Sequence, residues 1–155
     1  MTGIASADLG ARLPEIAAGI REQRIRTLLV VGEDVTRHGI DAELLGQLDF
    51  LAVSDILPGA TSAAAHLLLP GCAPAEKRGS FINVKGRVQR FLKAVEPPGA
   101  ARPELDFLAE LAGKLTGSEM PTSVEGLFNQ MTAEVAGLQG LRWAALGDGG
   151  ATLPA

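Results

Sequence analysis

The sequence predicts an α/β fold in which a short, mostly parallel, Rossmann-like sheet is flanked by helices. Three apolar runs of strand length alternate with helix-like segments over the first half of the chain. Such alternation is typical of a parallel sheet with right-handed crossovers. Near residue 76 the pattern changes to two extended pieces around a glycine-containing turn, which predict a β-hairpin around residues 80–91. Helix-like periodicity then returns, so C-terminal helices complete the predicted fold.

The first half of the chain predicts three successive pairs of a helix and a strand. Pro14 suits the first turn of the first helix, and Asp41 can cap the second. The strand segments are short and apolar, as expected of strands buried in a parallel sheet. The predicted elements are a helix over 13–22, a strand over 25–31, a helix over 41–48, a strand over 50–56, a helix over 61–65 and a strand over 66–69.

The second half predicts a hairpin and two helices. Its strands are expected over 80–83 and 87–91, with a bulge at Gly86. One helix is expected over 103–115, ended by Gly117, and another over 124–135. Thr122 and Glu125 fit a capping box for the second helix. The glycine-rich tail, 137–155, is expected to be irregular.

The length of 155 residues fits one domain, which we expect over residues 1–155. It would comprise an α/β part (13–75), a signature hairpin part (76–97) and a helical C-terminal part (98–155). Three parallel strands make a narrow sheet, and both faces of such a sheet are normally covered. We therefore expect an incomplete part of a larger fold, completed by a missing N-terminal region or by a partner chain.

Composition excludes several classes of function. A net charge of −4 and a pI near 5.2 argue against nucleic-acid binding, which needs basic surfaces. No stretch approaches the roughly eighteen apolar residues of a membrane span. The N-terminus lacks the pattern of a secretory signal. These observations favour a cytoplasmic protein.

Residues for redox or hydrolytic chemistry are scarce. Cys72 is the single cysteine, whereas an iron–sulfur cluster usually needs about four thiolates. The motifs contain no Ser–His–Asp set, no HExxH and no glycine-rich phosphate loop. His38 and His66 are interpreted as solvated or tolerated side chains. We predict no catalytic residue, no metal site and no cofactor held by this chain alone.

Residues 76–93 carry six basic side chains and one acidic side chain, a net charge of +5 in an acidic protein. This asymmetry favours contact with something anionic, such as a nucleotide pyrophosphate or an acidic partner surface. Asn83 and Gln89 offer amide groups, and Arg87 can make a bidentate contact with phosphate. The alternative is a solvated hairpin with a charged exterior.

The segment Glu76–Gln89, here called the signature segment, reads EKRGSFINVKGRVQ. It resembles the pattern E-x-x-G-T-F-x-N-x-x-G-R-x-Q of the molybdopterin oxidoreductase superfamily and its relatives in respiratory complex I. The resemblance extends to the flanking strands and to the P-G-x-A-R-P link at residues 98–103, and covers most of residues 13–150. Within the family, the chain is most similar to the C-terminal part of the large iron–sulfur subunit of NADH–quinone oxidoreductases.

The resemblance implies two functions. In the first, the chain is a structural and assembly domain of an NADH–quinone oxidoreductase, without a redox centre of its own. Its partners would be other subunits of that complex or the missing N-terminal region, and it would meet the inner face of the membrane only through the complex. Ala60 and His66 stand where the family usually has Glu and Asp, which favours this branch, whose corresponding domain has lost the cofactor.

In the second, the chain is a fragment of a formate dehydrogenase-like enzyme that binds molybdopterin guanine dinucleotide. The resemblance then implies a set of cofactor-binding residues: Asp34, Thr61, Glu76, Gly79, Asn83, Gly86, Arg87 and Gln89. A third alternative, an independent NAD-binding or interaction module, lacks the glycine-rich turn that a dinucleotide fold uses.

Overall fold

A computed structural model describes residues 13–153 of the chain. It divides into two compact units. The parallel-sheet unit contains the described residues up to Ala73 together with Pro97–Glu104. The hairpin unit contains Pro74–Glu96 and the described residues from Leu105 onward. The expectation of a single domain over the whole chain stays a prediction.

The parallel-sheet unit alternates helices and strands as the sequence predicts. Strands β1, β2 and β3 lie side by side in chain order, and both neighbouring pairs are parallel. Leu29 is in register with Ala52, which is in register with Leu67. The elements are α1 (Leu13–Arg21), β1 (Thr27–Val31), α2 (Ala42–Leu45), β2 (Phe50–Asp55), α3 (Ala60–Ala63) and β3 (Leu67–Pro70).

One face of this sheet carries the core. Leu28 and Val30 of β1 and Leu51 and Val53 of β2 project from it, as their register requires. Helices α1 and α2 and the turn between β1 and α2 cover these side chains with apolar groups. The covering residues include Ala17, Ile20, Val35, Ile40, Leu44, Leu45 and Leu48.

The boundaries of helices α2 and α3 differ most from the prediction. Helix α2 begins after Asp41, whose carboxylate accepts from the Leu44 N–H at 2.9 Å, but it ends at Leu45 rather than Leu48. Gly46 follows it, and glycine is a poor helix former. Helix α3 begins at Ala60, one residue early, because the Ser62 hydroxyl accepts from the Gly59 N–H at 2.7 Å.

The hairpin unit is built on β4 (Gly79–Ile82) and β5 (Arg87–Phe91), which pair antiparallel. Gly86 adopts a φ of +71°, as the predicted bulge requires. Two helices, α4 (Glu104–Thr116) and α5 (Val124–Glu134), follow as predicted. The core of the unit consists of Val88, Phe128, Leu138, Trp143 and Leu146.

One prediction about the C-terminal region was wrong and another was incomplete. The N-cap of α5 is Ser123, whose hydroxyl accepts from the Gly126 N–H at 3.0 Å, and not Thr122. The described part of the tail is largely irregular, as predicted, but two short 3-10 turns precede a strand, β6 (Ala151–Thr152), that pairs antiparallel with β5. A two-residue strand is formed by long-range pairing, so its local sequence gives little sign of it.

The mixed α/β class, the narrow parallel sheet and the hairpin are therefore confirmed. Within residues 13–153, no helix has the length and apolar character needed to cross a membrane.

Candidate functional site

In the parallel-sheet unit, polar side chains gather after the carboxyl ends of the strands. Asp34 follows β1 and caps the 3-10 turn Val35–His38. Its Oδ1 accepts from the Thr36 hydroxyl at 2.6 Å and from the Thr61 hydroxyl at 2.8 Å. Thr61 lies on α3 and is buried. The structure therefore joins two of the predicted site residues, Asp34 and Thr61, in one hydrogen-bond network.

These hydrogen bonds alter the acidity of Asp34. The hydroxyls of Thr36 and Thr61 donate to the charged carboxylate and lower its pKa from 3.8 to about 2, and Arg37 adds a smaller attraction. A carboxylate held this firmly in its ionised form is a structural acceptor at neutral pH. It is a poor general acid.

Ser54 is a further polar group at this end of the sheet. It lies near the end of β2, its side chain is 1% exposed, and its Oγ has no hydrogen-bond partner among the described residues. A Cβ placed on Gly71 would lie 3.2 Å from this oxygen and 3.3 Å from the Glu104 Oε1. Glycine at position 71 therefore leaves room beside the Ser54 hydroxyl. Buried unsatisfied hydroxyls are rare and are often found next to ligands or ordered water.

In the hairpin unit, three fixed positions of the signature segment, Gly79, Phe81 and Gln89, share one face. The register pairs Gly79 with Phe91 and Phe81 with Gln89, so these four residues lie on one side of the hairpin. A Cβ on Gly79 would lie 2.7 Å from the Phe91 ring. The alternate positions, such as Val88, face the core. The motif therefore specifies a hairpin face, with a glycine that accommodates an aromatic ring.

Asn83 closes the turn of the hairpin. Its Oδ1 accepts from the backbone N–H groups of Lys85 at 2.9 Å and Arg87 at 3.1 Å. Its amide nitrogen donates to the Gln89 Oε1 at 3.2 Å. The backbone N–H of Gly86 donates to the Asn83 carbonyl at 2.9 Å. Both the Asn and the glycine of the motif are thus used to shape the turn.

Arg87 holds the C-terminal tail. Its Nη1 donates to the carbonyl of Gly149 at 2.7 Å and lies 3.3 Å from that of Gly150. Arg90 pairs with Asp148 at 3.8 Å. Both arginines therefore use part of their donor capacity inside the unit.

Other basic groups of the hairpin are also engaged locally. Arg78 lies over the Trp143 ring, 5.6 Å from its centroid. Lys93 pairs with Glu96. The local positive charge is thus partly neutralised within the hairpin unit. The positive charge of residues 76–93 is therefore weaker evidence for an anionic ligand than the composition alone indicates.

The predicted site residues therefore fall into two groups. Asp34 and Thr61 form one, in the parallel-sheet unit. Gly79, Asn83, Gly86, Arg87 and Gln89 form the other, in the hairpin, and Glu76 lies half-buried in the short turn Pro74–Glu76 before it. Within residues 13–153, no cluster of three or more His, Cys, Asp or Glu side chains could hold a metal ion.

Sequence reasoning missed two features. The first is Ser54. A polar residue inside a run that reads as a buried strand is visible in the sequence and could have marked this position. The second is the contact between Arg87 and the C-terminal tail. The sequence gives only a weak sign of it, the glycines at positions 147, 149 and 150.

Comparison with known proteins gives the family. The family model for molybdopterin oxidoreductases matches residues 5–114. The alpha subunit of an NADPH-Fe(3+) oxidoreductase from Geobacter sulfurreducens is 33% identical over 94% of this chain, which spans 17% of that protein. The alpha subunit of F420-dependent formate dehydrogenase 2 from Methanococcus maripaludis is 33% identical over 95% of this chain, which spans 22% of it.

One subunit of an NADH-quinone oxidoreductase from Rhizobium meliloti is 33% identical over 80% of this chain, which spans 15% of that protein. The chain therefore corresponds to about a fifth or less of each of these relatives. Because the family model covers more than half of the sequence, the chain belongs to the molybdopterin oxidoreductase family.

Proposed function

We propose that the chain is a structural and assembly domain of an oxidoreductase subunit of the NADH–quinone oxidoreductase type, with no redox centre of its own. The observation that carries this proposal is that the motif side chains form hydrogen bonds to other groups of the same chain. Asn83 shapes the turn, Arg87 holds the tail and Asp34 is bound by two hydroxyls. These groups stabilise the chain itself.

The same contacts limit how well these residues could bind molybdopterin guanine dinucleotide. Its phosphates would require open donors, but the Arg87 Nη1 donates to the carbonyls of residues 149 and 150 and the Asn83 amide donates to Gln89, so part of the donor set of the motif is already used. The Asp34 carboxylate would repel phosphate and is already paired with hydroxyl donors. The motif residues thus fit this group poorly, and we derive no chemistry through it.

The test is to produce the tagged chain in a bacterial host that makes molybdopterin. Elemental analysis for molybdenum and phosphorus, together with pterin fluorescence after oxidation, should find no bound cofactor. In its native host, the tagged chain should co-purify with subunits of an NADH–quinone oxidoreductase. Stoichiometric pterin on the chain, or co-purification with a formate dehydrogenase alone, would overturn the proposal.

A second candidate function is the binding of molybdopterin guanine dinucleotide in a formate dehydrogenase-like enzyme, and Ser54 favours it. Its hydroxyl is buried without a hydrogen-bond partner among residues 13–153, beside Gly71 and near the carboxyl end of β2, and α/β folds bind ligands beyond the carboxyl ends of their strands. If this function is right, Ser54→Ala should lower the pterin content of the purified assembly. Ser62→Ala, in the same unit, should leave it unchanged, since the hydrogen bonds of the Ser62 hydroxyl go to the Gly59 backbone at the exposed start of α3.

A further inference from the structure

A groove lies between α4 and α5 of the hairpin unit. It has two adjoining lobes, which share Leu105 of α4 and Leu127 of α5. The larger lobe has a volume of about 390 Å³ and the smaller lobe a volume of about 270 Å³. Volumes of about 300–1,000 Å³ are typical of small-molecule sites in proteins. The larger lobe by itself is therefore large enough to hold a ligand.

Helical spacing builds the walls of the larger lobe. Leu105, Leu108 and Ala112 recur at positions i, i+3 and i+7 of α4, so they lie on one face of that helix. Leu127 lines the same lobe from α5. Every side chain that lines this lobe is apolar. The side chains of the larger lobe therefore present no nitrogen or oxygen atom to a ligand.

The loop between the two helices is held against both of them. A Cβ on Gly113 of α4 would lie 3.3 Å from the Ser118 carbonyl oxygen. A Cβ on Gly126 of α5 would lie 3.2 Å from the Pro121 Cβ. Glycine at both positions thus permits the close approach of the loop. Met120 of this loop lines the larger lobe, which is therefore walled by α4, by α5 and by the loop.

The smaller lobe leads to positively charged groups. Arg78 and Ser80 line it. The Arg78 guanidinium lies 5.6 Å from the centroid of the Trp143 ring, a contact that does not neutralise its charge. Ser80 is in register with Arg90, so a second guanidinium lies on this side of the hairpin, where it pairs with Asp148 at 3.8 Å. The groove therefore has a basic end and an apolar interior.

These properties discriminate among three kinds of occupant. A helix is too large, because one turn, about 10 Å wide and about 5.4 Å long, already has a volume of about 420 Å³. An extended polypeptide would bury N–H and C=O groups against side chains that cannot bond them. A hydrocarbon chain brings no polar group into the larger lobe. A carboxylate at the end of such a chain matches the charge and the donor geometry of Arg78.

We infer that this groove binds a linear fatty carboxylate, with its chain in the larger lobe and its carboxylate at Arg78. The site lies within the hairpin unit alone. It does not depend on the role proposed for the chain in an oxidoreductase, and no cofactor or other subunit enters its test.

The experiment titrates the full chain with monomeric sodium decanoate by calorimetry. Decanoate should bind more tightly than octanoate, because each buried methylene strengthens binding about fourfold. Methyl NMR should show shifts at Leu105, Leu108 and Leu127. Arg78→Gln should weaken decanoate binding about fivefold and change the binding of 1-decanol less than twofold. Lys85→Gln is the matched control, because it removes a positive charge from the exposed turn of the same hairpin, and it should change decanoate binding less than twofold.

A second pair of variants tests the larger lobe. Ala112→Trp fills it and should abolish decanoate binding. Ala133→Trp places the same side chain at an exposed position of α5 and should leave binding unchanged. Circular dichroism checks that each variant is folded, and Arg78→Gln, at an exposed position, keeps the test decisive if A112W does not fold.

Several results would overturn the inference. They are the absence of decanoate binding, an affinity that does not rise with chain length, and equal effects of R78Q and K85Q or of A112W and A133W. Binding to anionic phospholipid vesicles that A112W leaves intact, without binding of monomeric decanoate, would also overturn it, because a membrane surface would then be the partner.

Discussion

The Nδ1 atom of His66 accepts a hydrogen bond from the backbone N–H of Leu51 at 3.0 Å. The His66 N–H in turn donates to the Leu51 carbonyl at 2.9 Å, and its ring stacks on Phe50 with centroids 6.0 Å apart. The histidine thus extends the pairing of β2 and β3 by one residue.

His66→Ala should therefore lower the free energy of unfolding by about 1 kcal/mol, because the Leu51 N–H loses its acceptor. His66→Asn should lose less than half as much, since its Oδ1 can accept from the same N–H. Urea denaturation measures both, and hydrogen exchange at the Leu51 amide locates the effect. Equal losses in the two variants would show that the acceptor is unimportant.

Gly150 should be essential for docking the tail. Its φ is +70°, and a Cβ would lie 2.2 Å from the Val88 carbonyl oxygen. Gly150→Ala should therefore cost about 2 kcal/mol or more of unfolding free energy, through strain and loss of the β5–β6 pairing. Gly149→Ala is the matched control, because a Cβ there meets no atom within 4 Å. It should change stability by no more than about 0.5 kcal/mol.

Asp34 should contribute to the acid sensitivity of the fold. Its pKa in the folded protein, about 2, lies below the ordinary value of 3.8. The contribution is therefore fully present above pH 4 and is lost as the pH falls through about 2. Thr61→Val removes one of the two hydroxyl donors and should raise the pKa of Asp34. The free energy of unfolding should then depend less on pH in this range. NMR titration of the Asp34 carboxyl, with urea denaturation between pH 2 and 5, tests this. An unchanged pKa in T61V would contradict it.

Ser123 should be the cap that stabilises α5. Ser123→Ala removes the acceptor of the Gly126 N–H and should cost about 1 kcal/mol. Thr122→Ala changes the residue that the sequence alone favours, and it should be nearly neutral. Thermal unfolding followed by circular dichroism distinguishes the two. A larger loss for T122A would restore the capping box predicted from the sequence.

Part of the candidate site was within reach of sequence reasoning. Asp34 and Thr61 are both predicted as site residues, and they do meet, although 27 residues separate them. The turn at Gly86 was predictable because a hairpin bulge needs a positive φ there. The role of Arg87 was not predictable. The carbonyls to which its guanidinium donates, those of residues 149 and 150, lie 62 and 63 positions away.

By itself, the sequence determined the order of helices and strands up to α5, the hairpin and the family, because these depend on local periodicity and fixed spacing. Only the tertiary structure decided which groups remain available to a ligand or partner. It engages the Arg87 Nη1 and the Asn83 amide in hydrogen bonds within the hairpin unit, and it leaves Ser54 without a protein partner among the described residues. It also left Leu29, Phe50 and Leu67 open on one sheet face. These outcomes depend on contacts between residues far apart in the sequence and on which face of the sheet each connecting helix covers.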